Sequence, residues 1–123
     1  MASGISYAVL PRDPGHARQI VRTVLRGLPR ESIADAELLT SEVVSNAIVH
    51  ADGALVLAIK LHEDKIRIEV LDQSGTTRLE PQLLEPSRER GRGLAIVEAL
   101  ASSWGVEPRS RGKAVWFELP LGP

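Results

Sequence analysis

The sequence predicts an α+β domain: a two-layer sandwich in which a mixed, mainly antiparallel sheet carries its helices on one face. Three observations predict it. Apolar residues recur at helical spacing in two successive stretches, over 17–28 and over 39–48. The segment KIRIEVLD (65–72) alternates strictly and follows a second apolar run across a short polar turn, the pattern of a β-hairpin. The elements then come in the order strand, helix, helix, hairpin, loop, helix, hairpin, which favours antiparallel neighbours with the helices to one side. With 123 residues the chain has apolar material for one core, and 1–123 is read as a single domain.

Residues 5–10 (ISYAVL) read as a short strand. Asp13-Pro14 then supplies an N-cap followed by proline at the first helical position. In the helix that follows, Ala17, Ile20, Val21, Val24, Leu25 and Leu28 share one face, while Arg18, Arg22 and Arg26 lie elsewhere on the cylinder. Gly27 and Pro29 close it. Ser32-Ile33-Ala34-Asp35 matches a capping box, so a second helix is expected to open there and run to about His50. Thr40, Val43, Val44, Ala47 and Ile48 form its packing flank. Leu38, Leu39 and Val49 leave Glu42 and Asn46 in apolar company.

After Asp52-Gly53, ALVLAIKLH (54–62) and KIRIEVLD form the hairpin. Because side chains alternate with a period of two, Asp72 shares the face of Ile66, Ile68 and Val70 and points toward the core side. Residues 73–90, with two prolines and no sustained periodicity, read as a long loop of the kind that is often functional. Gly91-Arg92-Gly93 leads into LAIVEALAS, a buried helix of about three turns. The chain closes with a strand at WGVEP, a turn from Arg109 to Gly112, and a strand AVWFELP in which Val115, Phe117 and Leu119 alternate with Trp116 and Glu118.

Composition excludes several kinds of function. The 15 basic and 16 acidic side chains are interspersed and sum to a net charge of −1, so neither nucleic acid nor an anionic membrane surface is an expected partner. The chain has no cysteine, which removes disulfides, thiol catalysis and cysteine-held zinc. His16, His50 and His62 lack metal-ligand spacing. No stretch approaches the roughly 20 apolar residues of a membrane span, and 1–15 lacks the pattern of a signal peptide. A cytoplasmic location is expected.

Four features can carry chemistry. Glu42 and Asn46 are one helical turn apart and can approach the same small object, such as a hydrated magnesium ion carrying phosphates. Magnesium keeps several waters and takes few protein oxygens, so one carboxamide oxygen with a nearby carboxylate suffices, and Glu42 remains available as a base. An isolated pair of this kind is more often a solvated helix face. Asp72 either caps the turn after its strand or accepts a hydrogen bond from an exocyclic amine such as adenine N6 in an apolar-walled pocket. Gly91 and Gly93 either mark a tight turn or let phosphates approach the N–H groups of a helix N-terminus. Trp104 and Trp116 read as packing groups.

The order of these features resembles one family. LLTSEVVSNAIVHA is similar to the N-box of the GHKL ATPases, VLDQSG to their first glycine box, and RGRGLAIVEALASSWGVEP with GKAVWFELP to the later boxes. Among GHKL members the short chain most resembles the anti-sigma-factor serine/threonine kinases. The resemblance implies a Bergerat-type ATP-binding fold with ATP and Mg as cofactors. It implies that Asn46 ligates the metal, Glu42 is the general base, Asp72 reads adenine, and Gly75, Gly91 and Gly93 border the nucleotide. It also implies three partners: a STAS-type anti-sigma antagonist phosphorylated on serine or threonine, a sigma factor held inactive, and a second copy of the chain in a homodimer. The dimer would use the first strand or the exposed part of the second helix.

Two departures stand out. Ser74 and Thr76 occupy the glycine positions of the usual Asp-x-Gly-x-Gly, with Gly75 between them. Ala114 stands where the family often has a threonine or similar polar residue close to the adenine-reading aspartate. Two other readings therefore stay open: a binding module of the same fold that sequesters a regulator without phosphoryl transfer, and a kinase domain working with a histidine-bearing partner. The short length places the second lower. His50 is read as a helix-end residue interacting with the dipole.

Overall fold

Local chemistry starts the first helix where the sequence places it. In the computed structural model, which describes residues 5–9, 11, 13–50, 55–72, 99–110 and 112–121 (5–9 and 48–50 by backbone alone), helix α1 spans Pro14–Val24. The Asp13 side chain accepts from the His16 N–H at 2.7 Å, and Pro14 occupies the first turn. Gly27 sits at φ +96, and a Cβ there would meet nothing within 4 Å. Backbone conformation alone therefore explains this glycine.

The second helix, α2, spans Arg30–His50 and begins two residues before the capping box. Its first intrahelical bond runs from the Ile33 N–H to the Pro29 carbonyl at 3.1 Å. Pro29 is thus the N-cap, and Ser32 lies inside the first turn. The two helices are joined on their polar sides. Arg22 grips Glu37 with two hydrogen bonds of 3.0 and 2.8 Å, and Arg18 donates to Ser41 Oγ at 2.8 Å.

Among the described residues, five strands form one sheet: β1 (Ile5–Val9), β2 (Leu55–Leu61), β3 (Lys65–Asp72), β4 (Ser103–Pro108) and β5 (Lys113–Pro120), in the order β1-β2-β3-β5-β4. All four pairings among these strands are antiparallel. The β2–β3 hairpin is closed by the His62 N–H donating to the Lys65 carbonyl, and the β4–β5 turn by the Arg109 N–H donating to the Gly112 carbonyl. The helix expected over 94–102 falls outside the described residues except at its end, where Ala99 and Leu100 are helical.

Alternation sorts the sheet into two faces. Leu57, Ile59, Ile66, Ile68, Val70, Val115, Phe117 and Leu119 face the helices and form one core with Ala17, Val21, Leu25, Leu39, Val43 and Val44. Thr40 is buried among them, and its hydroxyl has no hydrogen-bond partner among the described residues.

The other face is polar and tied together by charge. Arg67 donates to Glu69 at 2.8 Å and to Glu118 at 3.1 Å, Lys60 reaches Glu69 at 3.2 Å, and Ser103 donates to Glu118 at 2.9 Å. The Arg67 guanidinium also lies 4.1 Å from the centroid of the Trp116 ring, within cation–π range. Gly105 makes room for that ring, since a Cβ there would stand 3.0 Å from it.

Candidate functional site

Topology brings α2 and the end of β3 to the same end of the molecule. Leu55, the first residue of β2, pairs with Asp72, the last of β3, and Asp72 pairs in turn with Lys113, the first of β5. Only residues 51–54 separate the end of α2 from Leu55. So short a tether holds the last turns of α2, and with them Asn46, near the row Leu55, Asp72, Lys113.

On α2, Asn46 is buried and Glu42, one turn earlier, is half-buried. Among the described residues neither side chain makes a hydrogen bond or an ion pair. The carboxamide is not sealed in the core, since among the described residues the fully buried polar atoms without a partner are on Thr40 and Trp116. An amide that keeps access to the surface and has no protein partner among the described residues is open to a ligand. Thr40, Val43, Val44 and Ala47 anchor this part of α2 in the core, which fixes the direction in which Glu42 and Asn46 project.

The donor chemistry fits magnesium carried by phosphates. Among the described residues no group of three or more histidine and acidic side chains is placed to hold a metal by itself. One carboxamide oxygen and a nearby carboxylate match an ion whose remaining positions are filled by phosphate oxygens and water.

Asp72 lies where strand parity places it, on the core face in line with Ile66, Ile68 and Val70, and it is 5% exposed. Its neighbour across the register is Lys113, 3% exposed, with Nζ 3.4 Å from Asp72 Oδ2. Sequence reasoning missed this lysine. The signal was present: the alternation of Val115, Phe117 and Leu119 extends back by two to position 113.

The same register corrects the reading of Ala114. It pairs with Leu71 and Glu107, on the sheet face opposite Asp72, because adjacent residues of a strand point to opposite sides. The residue facing Asp72 from β5 is Lys113. Gly75, Gly91 and Gly93, with Ser74 and Thr76, lie outside the described residues.

Comparison with known proteins now adds to this geometry. A family model described as a histidine kinase-like ATPase domain matches residues 8–119. The chain belongs to this family. A serine-protein kinase, RsbW, of Oceanobacillus iheyensis is 31% identical over 60% of this chain, and the match spans 57% of that relative's own length. Among solved structures, the histidine kinase domain of a blue-light activated histidine kinase from Erythrobacter litoralis superposes with a TM-score of 0.62 at 20% identity, covering 88% of this chain and 59% of that one. A longer structure of the same kinase gives 0.56 at 21% identity, covering 87% of this chain and 40% of that one. At such identities these structures speak to the fold, and they match the two-layer α+β architecture of this histidine kinase-like ATPase domain. No described helix of the domain is long and apolar enough to cross a membrane.

Proposed function

We propose that this ATPase-family domain binds ATP with magnesium and transfers the γ-phosphoryl group to a serine or threonine of a small STAS-type anti-sigma antagonist. In the same reading it sequesters a sigma factor when the antagonist is phosphorylated, acts as a homodimer and works in the cytoplasm. The observation that carries the proposal is the pair on α2: a buried Asn46 without a protein partner among the described residues, one turn from a half-buried Glu42, at the end of the sheet where Asp72 lies inward.

Asn46 would hold the magnesium ion through its carboxamide oxygen. When bound, the ion supplies charge neutralisation on the phosphates. Asp72 would accept from the adenine N6 amine and so orient the nucleotide, Gly91 and Gly93 would border its phosphates, and Gly75 would border the nucleotide. Glu42 would accept the proton of the substrate hydroxyl while the hydroxyl oxygen bonds to the γ-phosphorus and the bond to the ADP oxygen breaks. Transfer of this kind depends mainly on positioning, which the packing of α2 provides. The likeness to a serine-protein kinase supports a hydroxyl acceptor. Phosphorylation would then change the antagonist's charge at its interface and switch its partner.

The test is transfer of labelled phosphate from ATP to a purified STAS-type antagonist, followed by acid treatment. An acid-stable product lost in Glu42→Ala supports the reading. An acid-labile product points to histidine instead, and no transfer to any antagonist contradicts the kinase proposal. Sequestration without phosphoryl transfer is the reading that last outcome would leave.

A further inference from the structure

Among the described residues, Asp72 faces the ammonium of Lys113, which comes from a strand 41 residues away in sequence. Both members of the pair are almost wholly buried. Taking an ammonium and a carboxylate out of water is costly, and apolar residues of similar volume often serve stability as well or better. The pair also sits in the last row of the β3–β5 ladder, at the α2 end of the sheet, rather than in the middle of the core.

Chemically, the pair offers acceptor oxygens beside an ammonium with three donor hydrogens. That is the complement of the outer edge of adenine, where the N6 amine is a donor and the adjacent ring nitrogen N1 is an acceptor. An aspartate alone reads only the first of these.

We propose that Lys113 is a second base-reading residue: its ammonium donates to adenine N1 while Asp72 accepts from N6. This rests on the nucleotide-binding reading above and deepens it. The base is then recognised by a donor–acceptor pair built across two strands. The lysine holds Asp72 in place when no base is bound and shares it with N6 when one is. Purines with a different outer edge are sorted by the same pair, because a mismatched edge leaves buried charges poorly paired.

Calorimetric titration of the full chain with ATP and with 1-deaza-ATP, in which N1 is replaced by a carbon, tests this without altering the protein. The result expected is binding of 1-deaza-ATP weaker by about tenfold or more, the loss of a hydrogen bond to a charged donor. In Lys113→Met the two nucleotides bind alike. Equal affinity of the wild-type chain for both nucleotides overturns the proposal, as does a tenfold penalty that persists in Lys113→Met. Preference for GTP over ATP also overturns it, since guanine presents an acceptor where adenine has N6. Failure of ATP to bind at all refutes the nucleotide reading itself, which separates that outcome from a lysine that merely fills the core.

Discussion

Lys113 Nζ lies 3.4 Å from Asp72 Oδ2, and the two residues face one another in register between β5 and β3 with side chains only 3% and 6% exposed. A buried pair of this kind is strongly coupled. Lys113→Met removes the ammonium that faces the Asp72 carboxylate and is expected to cost about 1.5–3 kcal/mol, the range for a hydrogen bond to a charged group. Adding Asp72→Asn restores part of that loss, so the double variant is more stable than the sum of the single ones. Urea unfolding of the four proteins measures the coupling, and strict additivity contradicts it.

Thr40 is wholly buried on α2, and its hydroxyl lacks a hydrogen-bond partner among the described residues. Thr40→Val removes a desolvated polar atom at nearly constant shape. It is expected to stabilise the domain by about 1 kcal/mol, read as a higher thermal midpoint. A lower midpoint means that the hydroxyl is satisfied.

Gly27 and Gly105 are glycines for different reasons. At Gly27 the left-handed backbone is the constraint and space is open, so Gly27→Ala costs about 1–2 kcal/mol. At Gly105 a Cβ would press into the Trp116 ring at 3.0 Å. Gly105→Ala is therefore rescued by Trp116→Leu, whereas Gly27→Ala is not. Unfolding free energies of the single and double variants check this difference.

Acid weakens the charged face of the sheet. Burial pushes the Glu69 carboxyl up, but hydrogen bonds from Arg67 and Lys60 together with their charges outweigh it and hold it below the ordinary 4.5. Glu118 behaves likewise, burial being opposed by Arg67, Ser103 and Lys65. A carboxylate whose pKa falls on folding stabilises the fold above its unfolded value, and that contribution disappears as pH drops through the folded one. The urea midpoint is thus expected to fall progressively below pH 4.5, and Glu69→Gln to make the decline shallower. An unchanged slope in that variant contradicts the assignment.

Much of the fold could be read along the chain because its signals are local. Asp13-Pro14 starts α1, and the period of two through Ile66, Ile68 and Val70 turns Asp72 inward. The start of α2 was misread because Pro29 caps it through its carbonyl alone, without a side-chain signature, while Ser32 carries the usual one. The site was legible where it depends on one helix, since Glu42 and Asn46 are a turn apart. It was not legible across strands. Which of Lys113 and Ala114 faces Asp72 depends on the β3–β5 register, and no local pattern sets a pairing between residues so distant in sequence.

In the proposed function, α2 and the end of β3 form a site for ATP with magnesium. Calorimetric titration of the purified chain with ATP, with and without magnesium, tests this most directly, with Asn46→Ala, Asp72→Asn and Glu42→Ala alongside. The expected result is magnesium-dependent binding that is lost in Asn46→Ala, weakened in Asp72→Asn and kept in Glu42→Ala. Binding that is indifferent to magnesium and unchanged in the Asn46 and Asp72 variants would contradict it.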